Sequence, residues 1–180
     1  FGHRRGGNLQ LLKRLGQQLD FTVHGLAAVS LDGKIVSSTR IREAIRAGDL
    51  DTASQMLGRA YQLTGPIIRG QQVGQQLGFP TANLQITGLA LPPNGVYAVH
   101  AQVQGHRHRA VLNLGVRPTL DHPAAQRQAE AHLLDFSGDL YGAEMAVEFV
   151  GKLRDEKKFA SPAALREQIQ RDIAAARKLF

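Results

Sequence analysis

The run Gly74-Gln-Gln-Leu-Gly78-Phe-Pro80-Thr81-Ala-Asn83 gathers glycines, a proline turn, a hydroxyl and an amide within ten residues, and Gly70 stands four residues upstream. Glycines let backbone N–H groups approach a ligand closely, and a run of such donors suits an anion. The charge pattern agrees. Residues 61–120 hold four arginines and no carboxylate, so nothing in that stretch repels a phosphate. Thr81 and Asn83 are two residues apart, which puts them on one face of an extended segment. A hydroxyl oxygen and an amide oxygen on a shared face are hard ligands, suited to a Mg²⁺ ion that bridges phosphate oxygens. No Gly-Lys-Ser/Thr follows the glycines, so a P-loop is excluded. The same residues also fit a glycine-rich hairpin whose Thr81 and Asn83 satisfy only their own backbone.

Glu130 is the second candidate. Along 129–136, Glu130, His132 and Leu134 share one face and Ala131, Leu133 and Asp135 the other. A carboxylate on a strand beside a magnesium nucleotide can take a proton from an alcohol. Its facing depends on register, and a glutamate turned to solvent is the simpler reading of spacing alone. Asn113-Leu-Gly115-Val-Arg117-Pro118-Thr119 ends a strand in a turn with a cation, suited either to holding a ligand or to a plain surface turn. Lys152 to Lys158 reads as a solvated charged loop. Phe159, just beyond it, either stacks on a planar ligand or packs under the next helix. His106 and His108 alternate on a strand, but with no third ligand at motif spacing they make a poor zinc site. No nucleophile-elbow pattern is present, which sets serine hydrolase chemistry aside.

These groups need a scaffold. Leu9, Leu11, Leu12, Leu15 and Leu19 predict a first helix, weakened at Gly16. Phe21-Thr-Val-His24 and Ala27-Ala-Val-Ser30 are short β-prone runs. Ser37-Ser38-Thr39 predicts a helix start and Gly48 its end, and a shorter helix covers about Thr52 to Leu57, stopping at Gly58. From Tyr61 the period changes to two. Segments 96–103, 109–114, 129–136 and 144–150 each suit a half-buried strand, separated by turn residues, which predicts a closed antiparallel barrel. Ser161-Pro162 then opens a helix whose Leu165, Ile169, Ile173 and Ala176 form one apolar stripe, expected to pack across the barrel.

Composition narrows the class. The 180 residues are 43% apolar with no run near ~18 apolar residues, so no membrane partner is expected. There is no cysteine, which excludes disulfides and thiolate sites. The chain begins at Phe1 without an initiator methionine or an apolar leader, so we expect a piece of a longer cytoplasmic protein. The net charge of +7 is diffuse and aromatics are only 6%, so no nucleic-acid partner is expected.

Eight ordered motifs carry a family resemblance: Tyr61-x-Leu-x-Gly65, Gly70-x-x-x-Gly74, Leu77-Gly-Phe-Pro-Thr-Ala-Asn83, Gly95-Val-Tyr97, Asn113-x-Gly115-x-Arg-Pro-Thr119, Glu130-x-His-Leu-Leu-Asp-Phe136, Leu140-Tyr-Gly142 and Leu153-Arg-x-Glu-x-Lys-Phe159. Together they resemble the riboflavin kinase module of the bacterial bifunctional riboflavin kinase/FAD synthetases. Upstream, Phe1-Gly-x-x-Arg-x-Gly and Ser37-Ser38-Thr39-Arg-Ile-Arg42 are similar to the end of that family's adenylyltransferase domain, where the second motif helps to bind ATP.

The resemblance implies a mainly β fold: a six-stranded antiparallel barrel with a C-terminal α-helix over 59–180. Before it come a helical linker at 51–58 and, over 1–50, an α/β remnant of a Rossmann-like nucleotidyltransferase domain, unable to adenylylate FMN alone. It implies transfer of the ATP γ-phosphate to the riboflavin 5′-hydroxyl, giving FMN and ADP. Thr81 and Asn83 would hold Mg²⁺ and ATP, with Gly70, Gly74, Gly78 and Pro80 forming the phosphate flap. Glu130 would be the base, and Asn113, Arg117, Arg154 and Phe159 would contact the flavin. Where many relatives carry arginine after the second flap glycine, Gln75 stands here, which removes a possible phosphate contact. The expected meeting place of Glu130 with Thr81 and Asn83 is across the mouth of the barrel lumen. The alternative is a flavin- or nucleotide-binding barrel impaired in catalysis.

Overall fold

The computed structural model describes residues 3–70, 73–117 and 126–180, and its contacts divide the chain into 1–36 and 37–180. In the first unit, α1 (Leu9–Leu19) starts at Asn8, whose side chain accepts from the Leu11 N–H at 2.9 Å. It ends on Asp20 in the left-handed conformation, φ 54°. The strands expected at 21–24 and 27–30 do not form as such. Pairing is confined to β1 (Ser30–Leu31) and β2 (Lys34–Ile35), folded about Asp32-Gly33 with φ 52° and 71°. β-prone side chains make a strand only where a neighbour completes the ladder, and among the described residues 21–28 find none, while Val29 only accepts from the Val36 N–H at 2.8 Å.

The second unit opens on two capped helices. Ser37 accepts from the Arg40 N–H at the start of α2 (Ser38–Ala47), and Gly48 closes it at φ 83°. Asp49 caps α3 (Leu50–Leu57) through the Thr52 N–H at 3.0 Å. The strands follow: β3 (Gln62–Ile68), β4 (Ala82–Leu84), β5 (Gly95–Val103), β6 (His106–Arg117), β7 (Gln126–Leu133) and β8 (Glu144–Arg154). A one-turn helix, α4 (Val73–Gln76), lies between β3 and β4, and α5 (Pro162–Arg177) follows β8. The six strands close an antiparallel barrel in the order β3-β4-β7-β6-β5-β8.

Two barrel strands were not among the four predicted. β3 carries Gly65-Pro66 and β4 has three residues, so neither has a clear strand signature. Pro66 is the last pair of the β3–β8 ladder, and its carbonyl still serves the barrel by accepting from the Gln85 N–H at 3.0 Å. β7 ends earlier than expected, at Leu133, since Asp135 turns left-handed at φ 58°.

A six-stranded barrel is narrow and its lumen is filled by side chains. Leu63, Val99, Val103, Leu112, Leu114, Met145 and Val147 are fully buried there. At about 25 cal/mol per Å² of apolar area, each such residue contributes roughly 1.5–3 kcal/mol of burial. A smaller cluster covers the outside, where Val96, Ala98 and Val111 of the strands meet Ala176 of α5.

Candidate active site

Strand register brings the predicted residues together. Asn83 of β4 is directly opposite Glu130 of β7, and Glu130 is opposite Asn113 of β6. The row continues through Val96 of β5 to Arg154 of β8. Residues so paired point to the same side of the sheet with Cβ atoms about 4.5–5.5 Å apart. That side is the barrel's exterior. Ala82, Leu84, Ala129, Ala131, Leu112 and Leu114, which alternate with the row, form the inner core. The expected meeting across the lumen mouth is therefore corrected: Glu130 cannot look inward, because the pleat gives the lumen to its apolar neighbours.

The flap packs onto this row. A Cβ on Gly70 would overlap the Asn83 side-chain amide. One on Gly74 would overlap the Phe79 carbonyl and come within 3.2 Å of the Thr81 hydroxyl. The glycines thus lay backbone directly over the two proposed oxygen ligands. Gly74 accepts from the Phe79 N–H at 2.7 Å, and Gly78 turns the chain at φ 88°. The described part of the flap holds its shape through α4 and this turn.

Two cavities share Thr81. One, of about 180 Å³, runs under α5 and is lined by Gly74, Thr81, Asn113, Glu130 and His132 on one wall. Leu165, Ile169 and Ile173 of α5 form the opposite wall, with Asp172 at its edge. The other, of about 340 Å³, opens at the barrel mouth between Gln75, Pro80 and Thr81 on one side and Phe136 to Tyr141 on the other. Arg69, at the root of the flap, lies over the Tyr141 ring at 5.4 Å. Among the described residues no cluster of three His, Asp or Glu side chains is placed to hold a metal. A hard cation at Thr81 and Asn83 would rest on neutral oxygens and on the phosphates of its ligand, and the two donors fit that role.

Of the remaining predicted flavin contacts, Arg154 bonds to α5 and Phe159 stands just before it. Arg154 grips Asp172 with Nε at 3.0 and 3.1 Å and Nη2 at 2.7 Å. Asp172 is only 5% exposed and also accepts from Gln168 Nε2 at 2.7 Å. Phe159 is half-buried under the Arg154 and Lys157 cations, at 5.7 and 5.3 Å. Arg117 is the last residue of β6, and its side chain lies outside the described residues, as do Pro118 and Thr119. Ser37, Ser38, Thr39 and Arg42 occupy the cap and first turns of α2.

Sequence reasoning missed the part α5 takes in the site. Its stripe read as core, yet Leu165 and Ile169 line a cavity. The available signal was Asp172, a carboxylate set beside Ile173 on the apolar side.

A model of the riboflavin kinase (flavokinase) family matches residues 57–180. The chain belongs to that family. It is 44% identical over 99% of its length to a Pseudomonas fluorescens protein described as bifunctional riboflavin kinase/FMN adenylyltransferase, and 36% identical over its full length to the Escherichia coli K12 protein so described. The chain spans 57% of each of these relatives. A solved structure from Streptococcus pneumoniae, described as a macrolide-efflux protein, matches 92% of the chain with a TM-score of 0.73 and 31% identity, over 54% of its own length. No helix among the described residues is long and apolar enough to cross a membrane. The closed six-stranded barrel with its C-terminal helix is the riboflavin kinase fold the motifs implied.

Proposed function

We propose that this chain transfers the γ-phosphate of ATP to the 5′-hydroxyl of riboflavin, with Glu130 as the base and Thr81 and Asn83 at the metal–phosphate end. The observation that carries the reading is the register. It sets Asn83, Glu130 and Asn113 side by side on the outer face, where Thr81 joins two cavities. The chiefly apolar groove under α5 suits a planar ring, with Asn113 at its polar wall and Arg154 and Phe159 bordering the helix end. Arg117, at the end of β6, completes the proposed flavin contacts. The mouth cavity, lined by Gln75 and Pro80 of the segment that carries Gly70, Gly74 and Gly78, suits the nucleotide.

Phosphoryl transfer needs mainly positioning and neutralisation of charge. Thr81 and Asn83 would hold Mg²⁺, which when bound offsets the negative charge of the phosphates. Glu130 accepts the hydroxyl proton as the new O–P bond forms and the bond to ADP breaks, so FMN, ADP and a proton result. The apolar wall of α5 keeps water away from the reacting alcohol.

Only the kinase reaction is assigned to this stretch. The kinase domain is placed at 59–180, with 51–58 as linker. Residues 1–50 are assigned to the adenylyltransferase part of the longer relatives, where Ser37, Ser38, Thr39 and Arg42 would serve ATP. Incubation with riboflavin, ATP and Mg²⁺, followed by chromatographic separation of flavins, tests the proposal. FMN is expected, and its absence would leave only a binding barrel. FAD formed from FMN and ATP would overturn the restriction to one reaction.

A further inference from the structure

We infer that His132 is a positioning residue that fixes the Phe79-Pro80-Thr81 turn from β7, an inference that rests on the kinase reading above. Its Nδ1 lies 2.8 Å from the Pro80 carbonyl oxygen. A carbonyl only accepts, so Nδ1 carries the proton and donates, which also fixes the ring tautomer. The Phe79 ring meets the imidazole edge-on, with centroids 5.7 Å apart and planes at 89°. The residue before this pair, Gly78, has a left-handed backbone, and Phe79 N–H is tied back to Gly74. The turn is therefore held at both ends: by the flap on one side and by the imidazole on the other.

The consequence is geometric. Thr81 directly follows the carbonyl that His132 holds, and Glu130 is two residues before His132 on the same face of the same strand. One strand thus carries the proposed base and the anchor of the proposed metal ligand. The separation between proton acceptor and phosphate site is set by β7 together with β4, whose Ala82, next to Thr81, pairs with Ala131. Pro80 contributes no N–H of its own, so its carbonyl is the group through which the imidazole ties the turn to β7.

The competing role for His132 is proton transfer to or from substrate, since it lines the same groove as Glu130. Two isosteric substitutions separate the roles. In His132→Asn the amide nitrogen takes about the place of Nδ1 and keeps the donor to Pro80. In His132→Gln the amide lies nearer the place of Nε2 and the donor is lost. On the full chain with riboflavin and Mg-ATP, His132→Gln and His132→Ala should raise KM for ATP about five- to tenfold, with kcat reduced less than about threefold. His132→Asn should keep KM for ATP within about twofold of the wild type.

Unchanged KM for ATP in all three variants would overturn the inference. So would a fall in kcat at constant KM, or rescue by glutamine in place of asparagine. A readout independent of turnover accompanies the kinetics: the ¹⁵N spectrum of histidine-labelled protein, with the His132 signal assigned by its loss in His132→Asn. It should show an Nδ1-protonated ring, and an Nε2-protonated ring would contradict the bond to Pro80. A wild-type chain that makes no FMN would refute the kinase reading, and the spectrum would still decide the hydrogen bond.

Discussion

The two faces of β4, β6 and β7 do opposite work with alternate residues. Inward, Ala82, Leu84, Leu112, Ala129 and Ala131 close the lumen without a polar atom among their side chains. Outward, Asn83, Asn113, Glu130 and His132 stand in the groove or beside it, half-buried or exposed. The difference shows how a small barrel would host the proposed chemistry. The dry interior fixes strand register, and register alone aligns side chains from three strands on the wet side. Small inner residues help, because alanines at 82, 129 and 131 let the strands curve tightly while longer residues opposite fill the lumen.

The contrast can be broken or sharpened by substitution. An inner change should cost stability and spare chemistry. Leu63→Ala, at a site 1% exposed, should lower unfolding free energy by about 3 kcal/mol, with kcat/KM of the folded enzyme unchanged. Denaturant titration paired with initial rates would check it, and a loss of kcat/KM without loss of stability would collapse the distinction. An outer change should do the reverse. Glu130→Gln should reduce turnover at least ~100-fold, with ATP affinity and melting temperature little altered. Unchanged turnover would remove Glu130 from the mechanism.

Thr81→Ala should act more gently, weakening Mg-ATP binding by roughly tenfold through loss of one oxygen ligand. Titration calorimetry with a non-hydrolysable nucleotide reads this directly, and an unaltered affinity would argue against ligation there. The smallest effect lies at the closed side of the core. Tyr61 stacks on Phe149 at 6.0 Å and donates to the Ala90 carbonyl, and burial pushes its phenol up to about 12 from the usual value near 10. The folded chain holds this proton more tightly than the unfolded one. Its contribution is therefore complete below about pH 10 and lost as pH rises towards 12. Ultraviolet titration should show phenolate absorbance appearing late, and a Tyr61→Phe variant should lose part of that phase, the remainder belonging to Tyr97, whose phenol burial also raises.

Much of this was legible in the chain. Local signals placed the helix caps at Ser37, Gly48, Gly58 and Ser161, because a cap depends on a few adjacent residues. Motif order gave the family and supplied the residues proposed for the site. The outward facing of Glu130 was not legible, since parity within a strand is visible in sequence but which parity faces the core depends on partners far away. The groove wall of α5 was hidden for a related reason. A stripe of leucine and isoleucine looks alike whether it meets a sheet or a ligand, and the Arg154–Asp172 pair is one of the contacts that show where the helix is pinned. That pair and the Arg177–Asp135 bridge, at 2.6 Å, hold the C-terminal half of α5, while Leu165 and Ile169 line the open groove. Nor could sequence distinguish a limp glycine flap from one laid over Asn83 and Thr81, which requires the close approach the fold provides.

The most direct test of the account is a crystal structure of the chain with riboflavin and a magnesium nucleotide bound. It should place the isoalloxazine in the groove under α5 and the ribityl 5′-oxygen within about 2.6–3.2 Å of Glu130, with the terminal phosphate at Thr81. Flavin bound anywhere that leaves Glu130 beyond reach of that oxygen would contradict it.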